Sequence, residues 1–354
     1  MKRKYFIKRC SGSRRKIGYE LGRFYSQAGL AWFRPAGGID HIGKKQIDYA
    51  QKQVELVEKY HPALLDEIRG LSEGLGISYE QGLAIVLTSG MGRKMGCTTF
   101  SLKGDDGDIY VGRNFDFASE ISANSIYLGR FTSPIDGYAT FGGTEALLGY
   151  TDGVNQHGLA VSMAMVPLDS CDQTLLPTAP PQGILFSVAI RTALETCRTT
   201  ADAVDFLTEI PHIESFNFLV ADRSGEMAIV EASPWKCNVR KEKKIAVATN
   251  FFSSPDMKEL QETRWPLAMR QTRYAFNGMR RRAVENALRL VHESKGRIER
   301  DSIFAMLRMV AFDSTQGEGT HTFWSECFDL TTGEIWWCAG SPVKGEFKMI
   351  GSLR

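Results

Sequence analysis

Gly96-Cys97-Thr98-Thr99-Phe100-Ser101-Leu102 and, after a polar break, Tyr110-Val111-Gly112-Arg113-Asn114-Phe115-Asp116-Phe117 are the stretches on which the reading of this 354-residue chain turns. Both are rich in β-branched and aromatic residues. The connecting Lys103-Gly104-Asp105-Asp106-Gly107-Asp108 holds an Asp-Gly pair suited to a tight turn with positive φ, so the two stretches read as a β-hairpin. With Asp106 and Gly107 as the central turn residues, Cys97 is placed opposite Asp116. A small thiol preceded by glycine then faces a carboxylate, with Arg113 and Asn114 close by. Residues three apart on a regular strand point to opposite faces, so Arg113 and Asp116 both reach Cys97 only where the strand bulges or ends. Taken alone, a cysteine on such a strand is most simply a buried structural residue.

The surrounding pattern points elsewhere. It resembles the N-terminal-nucleophile (Ntn) hydrolases, in the superfamily that joins penicillin acyltransferases, bile-salt (choloylglycine) hydrolases and acid-ceramidase-like amidases, the linear-amide C–N hydrolases. In that group the protein cuts its own Gly-Cys bond, the cysteine becomes a new N-terminus, and an (Arg/Gln)-Asn-x-Asp motif lies on the paired strand. Here Gly96-Cys97 and Arg113-Asn114-Phe115-Asp116 match it. A thiol titrates near 8.5 and a free α-amine near 7.7 to 8.0, so one N-terminal cysteine supplies both nucleophile and base at about neutral pH.

The resemblance implies an α+β fold, a four-layer α/β/β/α sandwich with two mainly antiparallel sheets, over residues 97–354. Residues 1–96 are then a mainly helical precursor segment that stays attached as a small subunit. It also implies an amidase or acyltransferase that acts on carbon–nitrogen bonds other than ordinary peptide bonds. The acyl group of a linear amide (an N-acyl amino acid, a peptide or a penicillin-like substrate) passes through a thioester on Cys97, with no metal or cofactor.

Composition sets broad limits. A hydrophobic content of 43% supports a large core, and a net charge of +2 with 24% charged residues gives no footprint for nucleic acid or a membrane surface. The basic start, Met1 to Arg9, is not followed by an apolar run of signal-peptide length and no segment is long enough to span a bilayer, so a cytoplasmic protein is expected. The expected partner is a small-molecule amide or acyl donor, with a homo-oligomer left open. The seven cysteines and six histidines show neither disulfide nor zinc spacing.

Along the chain, helical patterns run over 14–27, 44–68 with a break or kink at Pro62, and 78–89, with a short strand at 5–10 before them. Strand patterns follow at 125–131 and 147–150, residues 152–161 read as a turn feeding a strand, and Gly142-Gly143-Thr144 is read as the start of a loop and Cys171 to Gly183 as another. Helices are expected at 186–196 and 200–208, strands at 216–221, 227–231 and 244–250. A polar loop and a basic helical region over 264–295 come next, and a last hairpin pairs 322–329 with 334–339. The run Arg280-Arg281-Arg282 reads as a solvated helix face.

Further site residues come with the resemblance. The Thr249-Asn250 step matches a family step whose asparagine holds the oxyanion, where a fixed amide donor is worth about 2.7 to 4 kcal/mol; its other reading is a strand-end turn residue. Asp116 would orient the new amine, and Arg113 would balance that charge or hold the substrate's acyl or carboxylate end. A second arginine completes the site, with Arg273 the better match and Arg264 the rival. Asn155, in Asp152-Gly153-Val154-Asn155-Gln156-His157-Gly158, is a turn residue or a substrate contact, and Asn114 joins it as a candidate substrate contact. Met165 stands where bile-salt hydrolases carry an asparagine, which argues against a bile-salt substrate. Two other readings compete: a catalytically silent binding protein on the same fold, and a papain-like hydrolase pairing Cys97 with His157 or His321.

Overall fold

The hairpin forms, one residue away from the expected register. In the computed structural model of the chain, β2 (Met95–Lys103) and β3 (Ile109–Ala118) pair antiparallel, with Cys97 opposite Phe115 and Gly96 opposite Asp116. The loop is the cause. Instead of a two-residue turn, 104–108 form a wider loop closed by the Gly104 N–H on Asp108 O at 2.8 Å, with Gly107 at φ 93° and the Asp106 carboxylate accepting the Asp108 N–H. A slip of one residue exchanges the faces of a strand. Cys97 therefore shares a face with Thr99, Arg113 and Phe115, while Thr98, Asn114 and Asp116 look the other way.

The structure describes residues 4–28, 42–88, 95–118, 126–144, 147–168, 182–264, 277–289, 298–313 and 320–353. The six-stranded sheet runs β11 (Ile245–Ala248), β2, β3, β12 (Thr320–Asp329), β13 (Glu334–Ala339), β14 (Lys348–Ser352). The eight-stranded sheet runs β1 (Lys4–Gly12), β4 (Ile126–Pro134), β5 (Thr140–Thr144), β6 (Asp152–Asn155), β7 (Ala160–Met165), β8 (Phe216–Ala221), β9 (Met227–Ala232), β10 (Cys237–Glu242). The β1–β4 ladder is parallel and the other ladders between named strands are antiparallel.

Strand alternation builds the layers. Ile109 and Val111 of β3 meet Phe131, Phe141, Leu219 and Ile229 between the sheets. Phe100, Leu102 and Tyr110, one residue out of phase, lie under Val284 and Leu288 of α8 (277–289) and Ile303 and Leu307 of α9 (Arg300–Met309). The far side of the larger sheet carries α5 (Phe186–Thr196) and α6 (Thr200–Glu209), with α1 (Arg14–Ala28), α2 (Lys44–Tyr60), α3 (Pro62–Leu75) and α4 (Tyr79–Thr88) packed into the same core. This is the expected α/β/β/α sandwich. No helix among the described residues is long and apolar enough to cross a membrane.

Several local expectations change. Gly142 and Gly143 lie in β5, not in a loop. A Cβ on Gly142 would fall 2.2 Å from the Tyr150 ring, so glycine is kept there to admit an aromatic side chain. Pro62 does split its helix, as α2 ends at Tyr60 and α3 begins on the proline. The polar segment after Asn250 contains α7 (Pro255–Arg264), and β10, β14 and α9 are elements beyond those expected from the sequence, although Ile303, Phe304, Met306 and Leu307 give α9 a helical spacing. Most of the Cys171 to Gly183 loop lies outside the described residues.

Residues 4–88 are built into the rest of the chain. β1 adds a strand beside β4 over Lys4–Gly12. Behind it, Arg14 reaches Glu195 (Nη1 to Oε2, 2.5 Å) and Asp136, while Arg191 binds Glu67 (2.5 Å) and Glu195 (Nε to Oε1, 2.8 Å), with Glu67, Arg191 and Glu195 fully buried. Burial alone would raise the Glu195 carboxyl; Arg191, His61 and Arg14 overcome it and hold the group well below the usual carboxylate range. Removing one partner of such a network leaves a buried charge uncompensated. Glu195→Leu is therefore expected to destabilise the chain by about 3–5 kcal/mol in urea unfolding, and a loss under about 1 kcal/mol would show the network to be dispensable.

Candidate active site

Cys97 lies at the junction of two polar clusters, one on each face of the six-stranded sheet. On the inner face the Arg113 guanidinium donates from Nη2 to the Cys97 Sγ at 3.3 Å and to Met163 O of β7 at 3.2 Å, while Nη1 is paired with the Asp152 carboxylate of β6. Arg113, Asp152 and Cys97 are all buried. One arginine thus spans both sheets and ends on the thiol. The Phe115 ring, beside Cys97 in the ladder, stacks on Trp324 at 4.0 Å and carries the Arg113 cation 5.1 Å from its centroid.

The outer face holds the backbone of the same residue. Asn250 Oδ1 accepts the Cys97 N–H at 2.9 Å and an Arg280 Nη2 N–H at 2.8 Å, and Asn250 Nδ2 donates to Met165 O at 2.8 Å. Arg280 Nη1 donates to Thr98 Oγ1 (3.0 Å), Cys97 O (3.3 Å) and Asp116 Oδ2 (3.3 Å). Thr322 Oγ1 completes the Asp116 carboxylate with a bond of 2.6 Å to Oδ1.

The two faces resolve the tension between Arg113 and Asp116. β3 stays regular, so they do point apart; Arg113 takes the thiol side and Asp116 the Arg280 side. The irregularity sits instead in β12, where Thr322 pairs with Asp116 and Trp324 with Phe115, and the extra residue Phe323 turns inward with Trp324 onto the aromatic cluster.

Other expected site residues lie apart from this constellation. Asn155 gives Oδ1 to the N–H groups of His157 and Leu159 and Nδ2 to the carbonyls of Leu194 and Cys197, which makes it the clasp of the β6–β7 turn onto the end of α5. Asn114 donates to Leu307 O (2.9 Å) and accepts from Ser325 Oγ (2.6 Å), tying β3 to α9. Arg273 is outside the described residues, as is the side chain of Arg264. Arg280, read from sequence as solvated, is a second arginine at the cysteine, beside Arg113. Its place on the buried face was signalled by Val284 and Leu288, four and eight residues on along one helix face. His157 packs edge-on to Tyr138 and His321 pairs with Phe117; among the described residues no histidine hydrogen-bonds Cys97.

Electrostatics set the resting state. Burial pushes the Cys97 thiol up to about 11; Arg113 pulls it down, Asp116 adds to the rise, and Arg280 and the Asp116 N–H pull it down. Burial also lifts the Asp116 carboxyl to about 6, with Arg280, Thr322 and Arg113 opposing.

Fold and site together define an Ntn-type acyl amidase or acyltransferase. The chain belongs to the acyl-coenzyme A:6-aminopenicillanic acid acyl-transferase family, whose sequence model matches residues 102–344 and so begins just beyond Cys97. Among solved structures it is similar to a conjugated bile acid hydrolase from Clostridium perfringens (16% identity, 73% of this chain and 94% of that one, TM-score 0.49). Two others are the penicillin V acylase from Agrobacterium tumefaciens (18%, 69% and 83%, TM-score 0.46) and a Caenorhabditis elegans N-acylethanolamine-hydrolyzing acid amidase ortholog (17%, 66% and 93%, TM-score 0.44). No curated protein matches the chain.

Folded Asp116 holds its proton more tightly than an ordinary carboxyl at 3.8, so it favours the folded state below about pH 4 and that advantage is lost as pH rises through about 6. The span is worth about 3 kcal/mol at most. On a Cys97→Ala chain, the further change Asp116→Asn should remove this component: the difference in unfolding free energy between the two chains should change in this sense from pH 4 to pH 7. A difference independent of pH would show that Asp116 titrates normally.

Proposed function

We propose that the chain is a self-processing cysteine amidase or acyltransferase acting on a small linear amide, with Cys97 as nucleophile. The observation that carries this reading is the contact of Arg113 Nη2 with the Cys97 Sγ, on a residue whose own N–H and C=O are held by Asn250 and Arg280. A structural cysteine would have no use for a buried cation at its sulfur and two side chains on its backbone.

The geometry supports the following maturation. Cys97 Sγ attacks the Gly96 carbonyl carbon, the Gly96–Cys97 C–N bond breaks with a proton passing to the cysteine nitrogen, and water hydrolyses the resulting thioester. Residues 1–96 remain attached through β1 and the buried arginine–glutamate network. The nitrogen left behind is a free amine beside Asn250 Oδ1.

In turnover that amine takes the thiol proton. The thiolate, facing Arg113, attacks the substrate carbonyl, Asn250 Nδ2 stabilises the oxyanion, and the departing amine leaves with the proton as a thioester forms. Water gives hydrolysis and a second amine gives transfer; in either case the Cys97 amine removes the acceptor's proton and the thiolate leaves. Arg280 fills the role of the second arginine, fixing Asp116 and Asn250 around the cysteine backbone. An N-acyl amino acid, a peptide or a penicillin-like amide fits this chemistry.

Mass measurement of the purified protein should find two pieces, residues 1–96 and 97–354, that copurify; Cys97→Ala should stay one chain. A wild type that remains a single chain would overturn the self-processing step and favour a silent binding protein. Asn250→Ala is expected to lower kcat on a chromogenic amide by about a hundredfold to a thousandfold with little change in KM. Full activity in that variant would remove the oxyanion role.

The acid limb of kcat/KM should follow the coupled Cys97 thiol and amine, displaced by the site from their free values of about 7.7 to 8.5, and not a histidine near 6.5. His157→Ala and His321→Ala should accordingly leave the profile unchanged. Loss of turnover in either folded variant would replace this mechanism with a Cys-His dyad.

A further inference from the structure

Behind Arg113 lies a group that the mechanism above does not use. Glu326 of β12 sits directly across the β3–β12 ladder from Arg113 and is fully buried, yet the guanidinium makes its ion pair with Asp152 of the opposite sheet. Cross-strand Arg–Glu neighbours ordinarily attract. Here neither Glu326 oxygen meets a well-formed hydrogen-bond donor, and the neighbouring Trp324 Nε1–H is left without a well-placed acceptor.

What Glu326 does meet is another carboxyl. A Cβ on Gly143 would lie 2.5 Å from Asp152 Oδ1, 2.6 Å from Glu326 Oε1 and 3.1 Å from Trp324 Nε1, so both acid groups converge on the small space that glycine leaves open. The Asp152 oxygens already accept from the Gly143 N–H at 3.2 Å, the Thr151 hydroxyl at 3.2 Å and Arg113. Asp152 is thus equipped as the ionised partner and Glu326 is not. Two ionised carboxylates offer only acceptors to each other, and placing both in the interior with a single arginine leaves one charge without compensation. A proton on Glu326 turns the clash into an O–H···O bond.

We propose that Glu326 is a positioning residue for Arg113: it carries a proton, donates it to Asp152, and so leaves one negative charge, not two, facing the guanidinium that touches Cys97. The consequence is electrostatic. With one carboxylate behind it, Arg113 and Asp152 form a neutral pair; with two, the thiol would face a net negative cluster that opposes thiolate formation. The direction of titration agrees, since burial and then Asp152 push the Glu326 carboxyl well above its ordinary range, against Arg113 and the Trp324 N–H. Among the described residues, Asp116, which also acts on Arg113, and its partner Arg280 are held on the opposite face of the sheet.

The functional weight of this inference rests on the assignment of Cys97 as nucleophile, but its protonation state is testable without activity. In the uncut Cys97→Ala chain at pH 8, infrared spectroscopy should show a protonated-carboxyl C=O band that disappears on adding Glu326→Gln. A spectrum without such a band, or with one that Glu326→Gln leaves intact, overturns the proposal. Should that double variant fail to fold, carbon-13 labelling of glutamate in the Cys97→Ala chain gives the same answer: one carboxyl resonance should stay at the protonated shift at pH 8, and none doing so overturns it. In the active chain Glu326→Gln mimics the neutral acid, and kcat should stay within about threefold of wild type. Asp152→Asn, which strips Arg113 of its counter-charge, should cost at least about a hundredfold, or about 2.7 kcal/mol. Equal losses in both variants would mean that Glu326 works as an anion, against the proposal.

Discussion

The contact on which this structure depends is the Arg113–Asp152 pair. Arg113 belongs to the six-stranded sheet and Asp152 to the eight-stranded one, so the ion pair is also a bolt between the two layers, with a second bond from Arg113 to Met163 O beside it. A desolvated guanidinium is expensive to bury unless its donors are used. Asp152, Met163 O and Cys97 Sγ take bonds from its two terminal nitrogens, with Nε alone left without an acceptor, and the thiol is thereby held by a side chain that cannot move without loosening the sandwich. Thr99 and Ser162 hydroxyls bridge the sheets one step along.

Because β2 is regular at Cys97, its side chain and its main chain are served by different clusters. The sulfur faces a cation and aromatic rings in the dry space between the sheets; the nitrogen and carbonyl face Asn250, Arg280 and, through Arg280, Asp116. This partition suits a residue that must act through its sulfur and its nitrogen. On the proposed mechanism, substitutions on the inner side would act first on the thiol, and those on the outer side first on the Cys97 nitrogen and its orientation.

Much of this could be read in advance where residue type and spacing carry the information locally. The hairpin, the two long helical patterns at the start, the four-layer order and the cysteine with its Arg-Asn-x-Asp partner strand all follow from periodicity and a compact motif. The register did not, because Asp106-Gly107 is a strong two-residue turn signal while the loop that forms is set by Gly104 and the Asp106 side chain. Arg280 was hidden by its neighbours: three consecutive arginines look solvated, and only the phase of Val284 and Leu288 marks the first as inward. Asp152 and Glu326 were invisible for another reason. Their meaning lies in a contact between strands of different sheets, which no local pattern records.

In the maturation proposed above, burial would keep Cys97 from attacking a substrate before the chain is cut. With its thiol pushed up to about 11, Cys97 is held protonated at pH 7, and the uncut chain offers no amine at that position to assist. Arg113 and Arg280 work against burial, but their charges are largely matched by Asp152 and Asp116. The proposed cut at Gly96 would change the balance, because the Cys97 nitrogen held by Asn250 Oδ1 would become a titrating amine next to the sulfur. On this reading the fold holds the sulfur and its cation fixed from the start, and the missing component is a base that the protein makes from its own backbone.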